Sequence, residues 1–256
     1  MNIHPFSLDF KNDSTGKPLY ATFPFVVDGI AQTGISCGIS SHYAGDMKYE
    51  ATNPNRRALF AELGLNPGSV FGVWQIHSRS VLVVDRDNPP LEKADGLVTR
   101  DRGVILSVTV ADCLPVFLYD TKTGAFGLVH SGWKGTGIAL DAISVMGENW
   151  GTKAGDVAAV LGPCIGACCY KVDVERAAVF EKEFGAESVR KSCQESVLNS
   201  AKEFYLDLKA ANIKLLSNAG VRNISVCTDC TFTDERLGSF RRQGEQYTRM
   251  VALITR

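Results

Sequence analysis

The chain has 256 residues, of which 45% are hydrophobic and 21% are charged, and its formal net charge at pH 7 is -1. These values are ordinary for a soluble globular protein, and they provide no basic excess that would neutralise the phosphates of a nucleic acid. The first residues are charged and polar, and no stretch is apolar over the length of a membrane span, so we expect a cytoplasmic protein that binds neither nucleic acid nor membrane.

Apolar runs rich in β-branched residues predict strands at residues 20–28, 69–76, 80–85, 103–110, 115–119, 125–130, 156–161, 222–227 and 246–254. A helix is predicted where Asn53 can cap the chain, Pro54 suits the first turn and Gly64 ends it. Further helices are predicted at residues 136–149, 173–184 and 203–216. Because the strands cluster and do not alternate regularly with helices, the pattern favours an α+β fold with mixed sheets. No repeat or linker divides the chain, so we expect a single domain over residues 1–256.

Three of the predicted strands are each followed by, or end in, a residue that binds metals: His77, Cys113 and His130. Neighbouring strands lie about 5 Å apart, so three such ends can converge without a local spacing motif. Two neutral imidazoles and one thiolate form a ligand set that zinc accepts, with a fourth position left open for water or substrate. Ordinary packing in the core is the alternative for each residue taken alone.

Two features next to these residues indicate a catalytic site. Asp112 directly follows an apolar run and needs a polar partner, which makes it a candidate general acid. After His130, the glycines of SGWKGTG permit close backbone approach, and the amides at the start of the helix near residue 136 favour an anion. Lys134 can add positive charge there, although an ordinary tight turn is the alternative.

Polar residues elsewhere are candidates for contacts with substrate or phosphate. Gln75 lies two residues before His77, so a strand would point both side chains to the same face. A satisfied buried amide is the alternative for Gln75. Arg241 and its neighbour Arg242 can grip a phosphate, but paired arginines often form surface ion pairs instead.

The chain has eight cysteines, which we expect to be thiols or metal ligands in a reducing compartment. Cys227 and Cys230 form a C-x-x-C motif, and Cys164, Cys168 and Cys169 are available to complete a tetrathiolate zinc site. Only one C-x-x-C motif is present and two of the other cysteines are adjacent, which argues against such a site. A structural zinc is therefore the less favoured alternative.

Six segments in the same order resemble the laccase-domain or YfiH-like family, once called multicopper polyphenol oxidoreductases and since reassigned as purine nucleoside phosphorylases. They are WQIHS (74–78), ADGLVT (94–99), VADCLPV (110–116), VHSGWKGT (129–136), LGPCIGACCYKV (161–172) and SFRRQG (239–244). The resemblance is weakest in the N-terminal third, at VVDGIAQTG and SCGISSH, and QYTRM lacks the glycine that usually precedes its arginine.

The resemblance implies a four-layer α/β/β/α fold, related to a bacterial toxin domain that uses a Cys–His pair. It also implies zinc held by His77, Cys113 and His130. The implied reaction is phosphorolysis of adenosine, inosine, guanosine and methylthioadenosine to a free base and ribose 1-phosphate, with some deamination of adenosine. In that reaction the three ligands and Asp112 would be catalytic, and Gln75, Lys134 and Arg241 would bind substrate or phosphate.

Copper-dependent phenol oxidation, also linked to the family, conflicts with the histidine content. A multicopper site needs many histidines in His-x-His pairs, whereas this chain has four, none of them so paired. Copper, if bound, is therefore expected to replace zinc on the same three ligands.

Two other interpretations of the sequence stay open. One is a cysteine hydrolase or deamidase in which Cys113 is the nucleophile and His130 or His77 is the base. The other is a non-catalytic interaction domain. The sequence leaves the oligomeric state open.

Overall fold

The computed structural model describes residues 1–50, 52–193 and 202–256. The strands in these ranges are β1 (Asn2–Phe6), β2 (Phe10–Asn12), β3 (Pro18–Phe23), β4 (Val26–Val27), β5 (Ile30–Ala31), β6 (Ser36–Ser40), β7 (Val70–Gly72), β8 (Val81–Val83), β9 (Gly96–Thr99), β10 (Ile105–Val110), β11 (Leu114–Asp120), β12 (Phe126–Ser131), β13 (Val157–Leu161), β14 (Lys171–Val172), β15 (Val189–Cys193), β16 (Lys202–Leu206), β17 (Asn223–Cys227) and β18 (Met250–Thr255). The α-helices are α1 (Pro54–Glu62), α2 (Ile138–Trp150), α3 (Val174–Phe184), α4 (Leu208–Asn218) and α5 (Phe240–Gln243).

Two large sheets form the centre of the fold. One has seven strands in the order β1-β17-β13-β11-β12-β9-β8, and the other has six in the order β2-β3-β6-β18-β10-β7. Both are mixed: β10 pairs antiparallel with β18 and parallel with β7, while β13 pairs antiparallel with β11 and parallel with β17. The predicted α+β class with mixed sheets is therefore confirmed.

The side chains on each sheet alternate between two hydrophobic clusters. In β11, Phe117 packs between the two sheets with residues of β3, β10 and β18, whereas Leu118 packs on the other side with Ala142 of α2 and with α3 and α4. On the outer face of the six-stranded sheet, Leu59 of α1 packs with Val251 of β18. The layers run α1, six-stranded sheet, seven-stranded sheet, then α2, α3 and α4. This order confirms the four-layer arrangement, while the single domain over residues 1–256 stays a prediction.

Local signals place most helix ends. The side chain of Asn53 accepts hydrogen bonds from two amides of the first turn of α1, and Pro54 is the first helical residue, as predicted. The predicted helix 203–216 was wrong at its start, because Lys202–Leu206 is a strand and Asp207 caps the helix that follows. The predicted strand 20–28 is interrupted after Phe23. Across the described ranges, no helix is long and apolar enough to cross a membrane.

Two connections carry the chain from the six-stranded sheet to the seven-stranded sheet on the same side of the molecule. One joins β7 to β8 through residues 73–80, and the other joins β10 to β11 through residues 111–113. Strand β12 lies beside β11 with His130 opposite Pro115. The first connection contains His77 and the second contains Cys113. The fold therefore brings all three candidate ligands to one place.

Candidate active site

His77, Cys113 and His130, called the metal trio below, meet at these connections. One ligand atom from each lies within 4.8 Å of the other two, and the two imidazole rings are 4.9 Å apart between centroids. A β-carbon at Gly132 would lie 3.0 Å from Sγ of Cys113 and 3.4 Å from Nδ1 of His77, so glycine keeps the space between the ligands open. The metal trio is therefore a group that can hold a metal ion.

Asp95, which the sequence analysis did not single out, fixes one ligand of the trio. Its carboxylate is fully buried, and Oδ1 lies 2.9 Å from Nδ1 of His130. A histidine that donates from one ring nitrogen to a carboxylate is oriented to bind a metal with the other. Asp95 thus leaves Nε2 of His130 as the ligand atom.

The same carboxylate shapes the loop that carries His77. It accepts hydrogen bonds from the amides of Ile76 (3.2 Å), His77 (3.0 Å) and Ser78 (2.6 Å) and from the hydroxyl of Ser78 (2.7 Å). His77 has a positive φ of 58° within this loop. The predicted strand 69–76 was wrong beyond Gly72, where β7 ends. The amides of residues 76–78 donate to the buried carboxylate of Asp95 and not to a neighbouring strand.

The charges of the site depend on one another. Burial raises the pKa of Cys113, but His130 and His77 outweigh it and bring the pKa to about 6. Burial lowers the pKa of His130, but the Cys113 thiolate and Asp95 outweigh it and bring the pKa to about 9. Burial raises the pKa of Asp95, but hydrogen bonds from His130 and Ser78 lower it to about 2. Without metal, the site at neutral pH therefore favours a thiolate beside an imidazolium.

Asp112 lies next to Cys113 in the second connection, with a φ of 87°. Its Oδ1 accepts a hydrogen bond from the hydroxyl of Thr231 (2.6 Å), and its Oδ2 accepts one from the backbone amide of Arg241 (2.7 Å). The polar partners of this acid are thus a hydroxyl of the loop after β17 and an amide of α5. Asp112 positions Arg241, and its action as an acid stays a prediction.

The metal trio opens into a cleft of about 640 Å³, within the usual range for small-molecule sites. Two kinds of side chain dominate the wall. Aromatic rings offer flat stacking surfaces, and cationic groups favour an anion. The aromatic residues are Tyr49, Trp74, Trp133, Tyr170, Phe240 and Tyr247, and the cationic residues are Lys48, Lys134, Arg176, Arg241 and Arg249.

The cleft contains both cationic residues that were predicted to bind phosphate. Lys134 is exposed, with Nζ 5.6 Å from the ring centre of Trp133. The guanidinium of Arg241 lies 5.4 Å from the ring centre of Tyr170 and donates to the carbonyl of Lys171. These positions leave both cations beside the aromatic surfaces of the cleft.

Gln75 also lines the cleft, but its amide is already engaged. Its Nε2 donates to the carbonyl of Thr109 (2.8 Å), and its Oε1 accepts from the amide (2.7 Å) and hydroxyl (2.8 Å) of the same residue. The side-chain amide of Gln75 therefore makes the hydrogen bonds to β10 that a neighbouring strand would otherwise make. The expectation of a shared strand face with His77 was wrong, since no strand continues there.

The two other phosphate-binding features differ from expectation. The guanidinium of Arg242 donates to the carbonyls of Thr231, Phe232, Asp234 and Leu237, so it braces this loop and, unlike Arg241, does not line the cleft. Helix α2 begins at Ile138, after Gly137, and its first turn does not line the cleft. The cleft reaches only Gly132, Trp133 and Lys134 of the glycine-rich segment.

Comparison with known proteins identifies the family of this chain. Residues 33–256 match the family described as multi-copper polyphenol oxidoreductase laccase. The chain belongs to this family. The match begins at residue 33, so it excludes most of VVDGIAQTG but includes SCGISSH.

Relatives within this laccase-like family carry a different activity in their names. The chain is 33% identical over 239 residues to a purine nucleoside phosphorylase of Corynebacterium glutamicum, covering 91% of this chain and 92% of the relative. It is 34% identical over 233 residues to the purine nucleoside phosphorylase YlmD of Geobacillus stearothermophilus, covering 84% and 81%.

Solved structures of this laccase-like family share the fold. The crystal structure of YlmD from Geobacillus stearothermophilus aligns with a TM-score of 0.79 at 27% identity, covering 96% of this chain and 98% of that one. A Neisseria meningitidis protein aligns with a TM-score of 0.74 at 25% identity, covering 91% and 98%.

The copper in the family's description finds limited support in the histidines of this chain. All four histidines lie in the described ranges, yet only His77 and His130 belong to a group there that can hold a metal. His42 instead lies 3.4 Å from the side chain of Gln243.

Proposed function

We propose that this protein is a zinc-dependent purine nucleoside phosphorylase that acts on adenosine, inosine, guanosine and methylthioadenosine. The observation that carries the proposal is the convergence of His77, Cys113 and His130 in a cleft walled by aromatic rings and cations. The names of the relatives support the same activity. The products are a free purine and ribose 1-phosphate.

The donor set fits zinc. Two imidazoles and one thiolate are typical of a catalytic zinc that keeps a position open, and the hydrogen bond from His130 to Asp95 fixes the ligand tautomer. The glycine at 132 leaves room between the donors. Zinc held by His77, Cys113 and His130 would supply a Lewis acid for an oxygen of the substrate, and copper is the alternative occupant of the same residues.

The cationic residues are suited to hold phosphate beside the nucleoside. Arg176 lies with its guanidinium 4.7 Å from the ring centre of Trp133, and Lys134 lies near the same ring. Arg241 is held in place by the bond from its amide to Asp112. These groups neutralise the phosphate charge and orient one oxygen toward the anomeric carbon.

The aromatic rings are suited to hold the purine by stacking. As the bond between purine and ribose breaks, the purine takes a proton and positive charge develops on the ribose. Asp112 is the candidate acid, since its side chain lines the cleft beside Cys113. Because both of its oxygens accept hydrogen bonds from protein donors, positioning of Arg241 is its alternative role.

Replacement of Cys113 tests the proposal. Cys113→Ala should lose the zinc held by the metal trio and, together with it, phosphate-dependent base release from inosine, adenosine and methylthioadenosine. Cys37→Ala is the matched control, because Cys37 is a buried thiol in β6 outside the metal trio. Base release by Cys113→Ala at the wild-type rate would overturn the proposal. Ammonia release from adenosine without phosphate tests the accompanying deaminase activity.

A cysteine hydrolase or deamidase is the second candidate, because one observation favours it. Cys113, His130 and Asp95 stand in the order of nucleophile, base and orienting carboxylate. Metal chelation should spare such an enzyme, and an electrophilic thiol reagent should trap Cys113. Loss of activity on chelation, with recovery on addition of zinc, favours the phosphorylase.

A further inference from the structure

Three cysteines outside the metal trio bring their sulfurs together. Sγ of Cys168 lies 3.7 Å from Sγ of Cys230 and 3.2 Å from Sγ of Cys169, and all three lie within 4.8 Å of one another. Thiolates at the usual Zn–S length of about 2.3 Å are about 3.8 Å apart in a tetrahedral site. The spacing of Cys168 and Cys230 therefore suits two thiolates on one ion. Cys168, Cys169 and Cys230 are called the thiol cluster below.

Backbone contacts hold the two loops of the thiol cluster together. Cys230 forms a β-bridge with Cys164, and the amide of Thr231 donates to the carbonyl of Cys164 (3.1 Å). The amide of Gly166 donates to Sγ of Cys230 (3.2 Å). A β-carbon at Gly166 would lie 3.2 Å from Sγ of Cys168, so a side chain there would crowd the sulfurs. The two loops thus meet in one fixed arrangement.

The cysteines of the thiol cluster are not the pair that forms the C-x-x-C motif. Cys227, the partner of Cys230 in the C-x-x-C motif, is fully buried between the two large sheets, and its Sγ lies 3.4 Å from a carboxylate oxygen of Asp229. Cys164 is also buried, with its thiol directed to the carbonyl of Ile165. Within the described residues neither belongs to the thiol cluster, so the tetrathiolate considered from the motif does not form.

We propose that Cys168, Cys169 and Cys230 form a second metal site for a thiophilic d10 ion, Zn²⁺ or Cu⁺. An all-thiolate set favours these soft ions over magnesium, calcium or manganese. Cys168 is exposed, and with Cys230 it lines a surface depression, so an ion can enter and an exogenous ligand can complete its coordination. Three thiolates alone suit Cu⁺, whereas a fourth ligand suits Zn²⁺.

The second site lies behind the wall of the cleft. The loop that carries Cys168 and Cys169 also supplies Ile165 and Tyr170 to the cleft. The loop that carries Cys230 supplies Thr231, which donates to Asp112. An ion on the thiol cluster therefore clamps two loops that shape the cleft, and its role is structural.

Metal counting on the whole protein tests the second site. Wild type, Cys113→Ala, Cys168→Ala and Cys227→Ala are stripped of metal under reducing, anaerobic conditions and titrated with Zn²⁺ alone or Cu⁺ alone. We expect two ions per chain in wild type and Cys227→Ala, and one in Cys168→Ala and in Cys113→Ala. Cys227→Ala is the matched control, because it removes the motif cysteine that lies outside the thiol cluster.

Cobalt substitution distinguishes the two sites. The thiolate-to-cobalt absorption of the second ion should disappear in Cys168→Ala and in Cys169→Ala but persist in Cys113→Ala. A single ion in wild type, or two ions in Cys168→Ala, would overturn the proposal. Since metal counting needs no substrate, failure of the proposed phosphorolysis leaves this result interpretable.

Discussion

Replacement of Asp95 by asparagine tests whether one buried carboxylate organises the metal trio. The substitution keeps the shape of the side chain, but it replaces one acceptor oxygen with an NH₂ donor. The carboxylate accepts five hydrogen bonds, from Nδ1 of His130, the amides of Ile76, His77 and Ser78, and the hydroxyl of Ser78. In the variant at least one of these donors faces another donor.

Both stability and metal affinity should fall in Asp95→Asn. A pKa held at about 2, below the usual 3.8, corresponds to about 2 kcal/mol of stabilisation at neutral pH. Because the folded-state pKa is lowered, this contribution is present above the unfolded pKa and is lost as the pH falls toward 2. An unsatisfied buried donor adds about 1 kcal/mol, so the melting temperature should fall by roughly 6–12 °C. Loss of the carboxylate behind His130 should weaken zinc binding about 10- to 100-fold.

Thermal unfolding of the metal-free protein and zinc competition against a chromophoric chelator measure the two effects. Asp141→Asn is the matched control, because Asp141 forms an ion pair with Arg79 that is partly exposed to solvent, and pairs at the surface contribute at most about 1 kcal/mol. The reasoning is refuted if Asp95→Asn melts within about 2 °C of wild type and binds zinc equally well.

Gly132→Ala should weaken metal binding about tenfold, because its β-carbon would approach Sγ of Cys113 to 3.0 Å. Calorimetry with zinc checks this against Gly155→Ala, whose β-carbon would lie 3.9 Å from the carbonyl oxygen of Gly220. Arg241→Ala should raise the KM for phosphate about tenfold with little change in melting temperature, whereas Arg242→Ala should lower the melting temperature, since Arg242 braces a loop. Alkylation of Cys113 in metal-free protein should rise with pH, with its midpoint at about 6, and then level off, as peptide mass mapping of Cys113 will show. A rise that continues to pH 9 would contradict the lowered pKa.

The convergence of the metal trio was predictable from the sequence because each residue stands at or just beyond the end of an apolar run. The structure brings the three residues together as predicted, whereas the predicted elements were partly wrong, and metal binding by the trio stays a prediction. Cys113 follows β10 and His130 lies in β12, but His77 lies in a loop that β7 does not reach. Hydrophobic pattern locates where a buried segment ends, whereas the hydrogen bonds of Asp95 decide how the chain continues.

Asp95 was not recognised, because it precedes an apolar run, whereas Asp112 directly follows one. Each acid lies beside a buried strand, which indicates a partner without saying which one. The partner of Asp95 is 35 residues away, and it faces Asp95 because β9 pairs with β12. Arg176 and Arg249 reach the cleft from α3 and from the residue before β18, and no sequence periodicity connects them. Such contacts depend on tertiary structure and not on local pattern.

The two candidate functions require different protonation states of His130 beside the Cys113 thiolate. A metal ligand set needs Cys113 deprotonated and His130 neutral, whereas a nucleophilic pair uses the thiolate and imidazolium that the pKa values of about 6 and about 9 favour without metal. A metal ion and a proton therefore compete for Nε2 of His130. The hydrogen bond between Nδ1 of His130 and Asp95 is compatible with both the metal-bound and the protonated ring. Zinc should consequently increase base release and suppress alkylation of Cys113 over the same concentration range. Phosphorolysis that rises with zinc while Cys113 stays equally reactive would mean that the thiol is not a ligand.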